Sequence, residues 1–116
     1  MPKVLVVDDE QSVRDVLEIF LKKKGFEVMV CSSGSSALGV ISNDNSIDLM
    51  ILDNRMPGIK GFEVLEEMQR KESKLPVILL TGSVGMNENI PATKAVLRKP
   101  IDLNVLLEAI NKALGS

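Results

Sequence analysis

Five residues scattered along this 116-residue sequence could do chemistry together: Asp8, Asp9, Asp53, Thr81 and Lys99. The chain contains no histidine. Ser-His-Asp and Cys-His nucleophilic machinery is therefore excluded, as are most zinc sites. Carboxylates brought close together repel one another, and without compensation some would take up protons. A hard divalent cation such as Mg²⁺ resolves the conflict, because it prefers oxygen ligands and is held by one or two carboxylates plus a phosphate oxygen. The lysine adds positive charge for an anion and the threonine a hydrogen-bond donor. A carboxylate nucleophile, a metal, a cation and a hydroxyl together suit acceptance of a phosphoryl group.

Each residue also has an ordinary reading. Asp8 or Asp9 could cap a first helix, and Ser12-x-x-Asp15 resembles a capping box. Asp53 could be a turn residue ahead of Met56-Pro57-Gly58, Thr81 a plain strand end, and Lys99 a solvated lysine beside Pro100. Taken together, their positions favour the chemical reading, because four different predicted strands end in them, Asp8 and Asp9 sharing the first.

Five short apolar runs define those strands: Val4–Val7, Phe26–Cys31, Leu49–Leu52, Val77–Leu80 and Ala95–Leu97. Apart from Glu27 they are continuous rather than alternating, as expected of strands buried on both faces. Between them lie helical patterns. Val13, Val16, Leu17, Phe20 and Leu21 form a core-facing stripe, ended by Gly25. Ala37, Leu38 and Ile41 mark a second helix, and Phe62, Leu65 and Met68 a third. Leu103, Leu106, Leu107, Ile110 and Leu114 mark the last, with Asp102 as its N-cap. The alternation predicts an α/β fold: one doubly wound domain with a five-stranded parallel sheet flanked by helices, and the flavodoxin-like order of such a sheet is 2-1-3-4-5. The segment Ser83–Lys94, with Gly85 and Pro91, has poor periodicity, so the fourth helix is expected to be short or irregular. Ligands of such sheets bind outside the carboxyl ends of the strands, where strands one and three are neighbours. Asp8, Asp9 and Asp53 are therefore expected to converge there.

The bulk properties narrow the function. One domain spanning 1–116 fits the length. The formal net charge is −2 and there is no basic stripe, so nucleic-acid binding is not supported. Lys22-Lys23-Lys24 sits at a predicted helix end, where cations suit the dipole. Only three Phe and no Trp or Tyr are present, so the core must be aliphatic. The single cysteine, Cys31, permits no intrachain disulfide and reads as a buried structural thiol. With no signal peptide evident, a reducing, cytoplasmic location is expected. No apolar stretch is long enough to span a bilayer.

Four motifs in order, Val4-Leu5-Val6-Val7-Asp8-Asp9-Glu10, Leu52-Asp53-x-x-Met56-Pro57-x-x-x-Gly61, Leu79-Leu80-Thr81-Gly82 and Arg98-Lys99-Pro100, resemble the response-regulator receiver family (CheY-like) essentially end to end. The resemblance implies a phosphoryl-accepting switch of two-component signalling. Asp53 would accept the phosphoryl group from a sensor histidine kinase or phosphotransfer protein. Asp8, Asp9, Asp53 and the backbone carbonyl of Arg55 would hold Mg²⁺. Lys99 would pair with the phosphoryl oxygens, and Thr81 would move to bond the phosphoryl group. The Lys99–Pro100 bond would be cis, Gly61 would open the third helix, and Pro57-Gly58 would shape the loop beside the acceptor. The chain would catalyse only its own phosphorylation and dephosphorylation, and would signal to a downstream effector that the sequence does not name.

Two features depart from the family pattern. The position three before the lysine, commonly aromatic, is Val96, which cannot swing a ring between exposed and buried states. The 18 positions separating Thr81 from Lys99 are fewer than the family usually has, so signal transmission is expected to be atypical. Two other readings compete. A pseudo-receiver would bind partners without being phosphorylated. A phosphatase with an aspartyl-phosphate intermediate would need an acid/base two residues after Asp53, and that residue is Arg55.

Overall fold

The computed structural model describes residues 2–55, 58–82 and 93–115. Five strands, β1 (Lys3–Val7), β2 (Glu27–Cys31), β3 (Leu49–Asp53), β4 (Val77–Thr81) and β5 (Thr93–Arg98), form one sheet of order β2-β1-β3-β4-β5. Every neighbouring pair is parallel. Four helices accompany them among the described residues: α1 (Gln11–Lys23), α2 (Gly34–Asn43), α3 (Gly61–Arg70) and α4 (Leu103–Ala113).

Alternation of side chains along each strand sends one set to each face of the sheet. Leu5, Val7, Met50, Leu52 and Leu79 pack on one side with Ala37 of α2 and with Val64, Leu65 and Met68 of α3. Val4, Val6, Leu49, Ile51, Ile78 and Leu80 pack on the other with Leu17 and Leu21 of α1 and Leu106 and Ile110 of α4. Each fully buried Leu or Ile of this kind contributes roughly 1.5–3 kcal/mol of transfer free energy. The continuous apolar runs of β3 and β4 follow from this double coverage, since all five residues of each are buried. β2 differs from the expectation of burial on both faces: it is an edge strand, and Glu27 and Val30 are exposed.

The helix limits have local causes. Gly25 follows the C-cap of α1 with φ 93°, a conformation open to glycine. Asp102 caps α4, its side chain accepting from the amides of Asn104 and Val105. At the start of α1 the capping box that Ser12-x-x-Asp15 resembles does not form: Glu10 is the N-cap residue, without a side-chain cap bond, and Ser12 and Asp15 lie inside the helix. Instead, Asp8 Oδ1 accepts from the Glu10 amide at 3.0 Å. Two residues expected in the core are exposed, Val16 at 52% and Phe62 at 44%. In α3 the buried stripe runs through Val64, Leu65 and Met68, leaving Phe62 on the outer side of the first turn. β5 begins at Thr93, two residues earlier than the apolar run suggested. The expected short or irregular fourth helix falls on residues 83–92, outside the described residues.

Candidate functional site

The register carries the reactive side chains to one end of the sheet. Val7 pairs with Leu52, so Asp8 follows beside Asp53. Asp53 pairs with Leu80, and Thr81 with Arg98, which puts Lys99 next in line. Asp8, Asp53 and Thr81 are the buried polar residues of the described chain, 0%, 1% and 3% exposed. Burying such groups is costly unless they are paired and hydrogen-bonded, and the surrounding bonds supply this.

Asp8 is tied down at three points. Its amide donates to the Cys31 carbonyl at 3.1 Å, its carboxylate accepts from the Glu10 amide, and its carbonyl accepts from Arg14 Nη1 at 2.7 Å. Asp53 Oδ1 accepts from the Arg55 amide at 3.2 Å. The Lys99 amide donates to the Thr81 carbonyl at 2.8 Å. That bond anchors a side chain whose ammonium is shared by three carboxylates: Asp8 Oδ2 at 3.1 Å, Asp53 Oδ2 at 3.5 Å and Glu10 Oε1 at 3.6 Å. The Lys99–Pro100 peptide bond is cis.

Electrostatics set Asp53 apart. Burial pushes its carboxyl up to about 6, and the Asp8 charge adds to the rise, while the Arg55 amide and Lys99 oppose it. For Lys99, burial alone would lower the ammonium. The hydrogen bond to Asp8 and the charges of Asp53, Asp8 and Glu10 outweigh it and raise the group above the ordinary lysine value.

Asp9 is exposed beside this pair. Asp8, Asp9 and Glu10 have carboxylate oxygens within 4.8 Å of one another. The trio so formed contains Glu10 rather than the expected Asp53, which meets Asp8 through the Lys99 ammonium. Three carboxylates share one ammonium and Asp9 adds a fourth beside them, which leaves an excess of negative charge on hard oxygen donors. That set fits a divalent oxygen-seeking cation.

Two contributors escaped the sequence reading. Glu10 was visible as the third acid of a run, but nothing in one dimension showed its reach to Lys99. Asn54 joins β3 to α3: its side-chain oxygen accepts from the Phe62 amide at 3.0 Å, its carbonyl accepts from the Gly61 amide at 3.1 Å, and its amide donates to the Leu80 carbonyl at 2.9 Å. The approach is so close that a Cβ on Gly61 would lie 2.6 Å from Asn54 Cα and 2.8 Å from the Asp53 carbonyl. Arg55 itself is exposed at the rim.

The chain is similar to known proteins over nearly its whole length. Residues 4–111 match the response regulator receiver domain family. The response regulator SaeR of Staphylococcus aureus is 33% identical over 98% of this chain and 51% of its own length. The chain thus spans about half the length of the curated relatives it matches. Among solved structures, the response regulator protein TrrA of Thermotoga maritima, determined in complex with Mg(2+)-BeF, is 34% identical with a TM-score of 0.90, covering 98% of this chain and 100% of that one. A response regulator receiver domain protein of Clostridium thermocellum is also 34% identical, with a TM-score of 0.89, covering 98% of this chain and 94% of that one. On both the match along its length and the geometry at its strand ends, the chain belongs to the response regulator receiver domain family, whose function is phosphoryl acceptance and signalling.

Proposed function

We propose that residues 1–116 act as one receiver domain in which Asp53 accepts the phosphoryl group. The observation that carries this is the buried Asp53 carboxylate, sharing the Lys99 ammonium with the equally buried Asp8. A buried carboxylate that is neither a cap nor part of a simple ion pair is expensive to keep for structure alone. The donor of the phosphoryl group is a sensor histidine kinase or phosphotransfer protein, as the family suggests. The Asp53 carboxylate attacks the phosphorus of a phosphohistidine in line. An O–P bond forms as the P–N bond breaks, the electron pair stays on the imidazole, and the product is an acyl phosphate later cleaved by water.

The residues around Asp53 divide the remaining work. Lys99 offsets charge on the transferring oxygens, where a fixed ammonium in a partly dry site acts most strongly. The Arg55 amide holds one acceptor oxygen in place. Thr81, buried at the end of β4, donates its hydroxyl to the phosphoryl group and begins the conformational switch toward a downstream effector. Asp8, Asp9, Asp53 and the Arg55 carbonyl would hold Mg²⁺, and the Mg(2+)-BeF complex of the Thermotoga relative supports that choice of metal. When bound, the ion supplies further neutralisation of the oxygens in flight. The chain turns over nothing but its own phosphoryl group. Among the described residues no helix is long and apolar enough to cross a membrane, and the buried free thiol of Cys31 suits a reducing, cytoplasmic setting.

The test is intact mass after incubation with a small-molecule phosphodonor. Wild type with Mg²⁺ should gain one phosphoryl group. The adduct should be absent without Mg²⁺ and absent in Asp53→Asn. No adduct under conditions that label a known receiver would replace this reading with that of a constitutive binding module.

A further inference from the structure

Glu10 has no role in the reading above, yet its carboxylate is 3.6 Å from the Lys99 ammonium. We propose that Glu10 is a positioning residue for Lys99: it gives the ammonium, which here rests on Asp8 and Asp53, an outer partner to move toward when a divalent cation enters between those carboxylates. The inference rests on the assignment of Asp8, Asp53 and Lys99 made above.

An ion pair with one exposed partner normally contributes little, because both long side chains lose freedom to form it. This pair is constrained at both backbones. The Glu10 amide is bonded to Asp8 Oδ1 at 3.0 Å, and the Lys99 amide to the Thr81 carbonyl at 2.8 Å. Lys99 is also four-fifths buried along its side chain, at 21% exposure, whereas Glu10 is 60% exposed. The three carboxylates around the ammonium are therefore not equivalent. Asp8 and Asp53 lie inside, at 3.1 and 3.5 Å, and Glu10 pulls from the solvent side. Without that outer partner the ammonium stays on the inner pair and competes with a divalent cation for the same oxygens. Placement at the N-cap of α1 keeps Glu10 in register with Asp8, since the helix starts one residue later.

A double-mutant cycle separates action through Lys99 from direct attraction of the cation. Mg²⁺ affinity is measured by calorimetry for wild type, Glu10→Gln, Lys99→Met and the double variant. Glu10→Gln should weaken Mg²⁺ binding about threefold in the wild-type background, within the range of a partly exposed pair, and have no effect once Lys99 is gone. An equal loss in both backgrounds, or none in either, would overturn the proposal. A readout free of the metal guards against a Lys99→Met variant that folds poorly. In metal-free, ¹⁵N-lysine-labelled protein, the Lys99 Nζ resonance should shift in Glu10→Gln and stay unmoved in Glu18→Gln, whose partner is Lys22; an unmoved resonance in Glu10→Gln would count against it. Phosphorylation of wild type in parallel distinguishes the two levels. If wild type takes the phosphoryl group but Glu10→Gln changes neither affinity nor resonance, the positioning role alone fails.

Discussion

As the proposed acceptor, Asp53 would have to be buried and nucleophilic at once, and burial raises its carboxyl to about 6. The sign of its effect on stability follows from linkage. The native state holds the proton up to about pH 6, while the unfolded chain releases it near the ordinary aspartate value. Between those limits the folded state binds more protons, so stability falls as pH rises through this window and then levels off. Asp53→Asn removes the effect. In metal-free buffer the variant should be more stable than wild type at pH 7, by on the order of 2–3 kcal/mol, with the advantage vanishing below about pH 4. Urea denaturation at several pH values measures it. Equal stability of the two proteins across the range would mean that the burial of Asp53 imposes no electrostatic cost.

At the scale of elements, the junction of β3 with α3 is the tightest point in the site. Gly61 opens α3 against the backbone of Asp53 and Asn54, where an added Cβ would meet backbone atoms below 3.0 Å. Gly61→Ala must shift either α3 or β3. It should lower stability by roughly 1–3 kcal/mol, typical of overpacking, and slow phosphorylation as Asp53 is displaced. Chemical denaturation and the rate of mass gain report the two effects, and a variant with wild-type values in both would show the junction to be slack.

Much of this architecture was legible in one dimension. Central strands read as unbroken apolar runs because both faces are covered, and Asp102 announced its helix because a carboxylate cap needs only its own neighbours. The misreadings share a cause. Whether Val16 or Phe62 faces the sheet depends on how a helix is rotated about its axis, and an apolar run cannot say whether its strand will lie at an edge, as β2 does. The site was legible where residues sit at strand ends. It was not legible where a side chain reaches across space, as Glu10 does to Lys99 and Asn54 to the first turn of α3.

At the scale of the whole molecule, a single sheet carries two separate cores. Leu79 belongs to the one covered by α2 and α3, and Leu80, its neighbour, to the one covered by α1 and α4. Because the strands are common to both, neither core should survive loss of the other. Leu79→Ala and Leu80→Ala should each cost about 2–5 kcal/mol and each still unfold in one cooperative step. Coincident transitions by circular dichroism and by calorimetry would bear this out; a variant that melts in two stages would show the faces to be independent. The same shared sheet lets one chemical event at the strand ends reach helices on both sides, which is what a signalling domain requires of its fold.

The central claim is that one carboxylate, Asp53, takes the phosphoryl group. Its most direct test is to phosphorylate the protein with a small-molecule donor, reduce the acyl phosphate with borohydride, and locate the resulting homoserine by peptide sequencing. Homoserine at position 53 is the predicted result. Homoserine at position 8 or 9, or stable phosphate on a serine or threonine, would contradict the account.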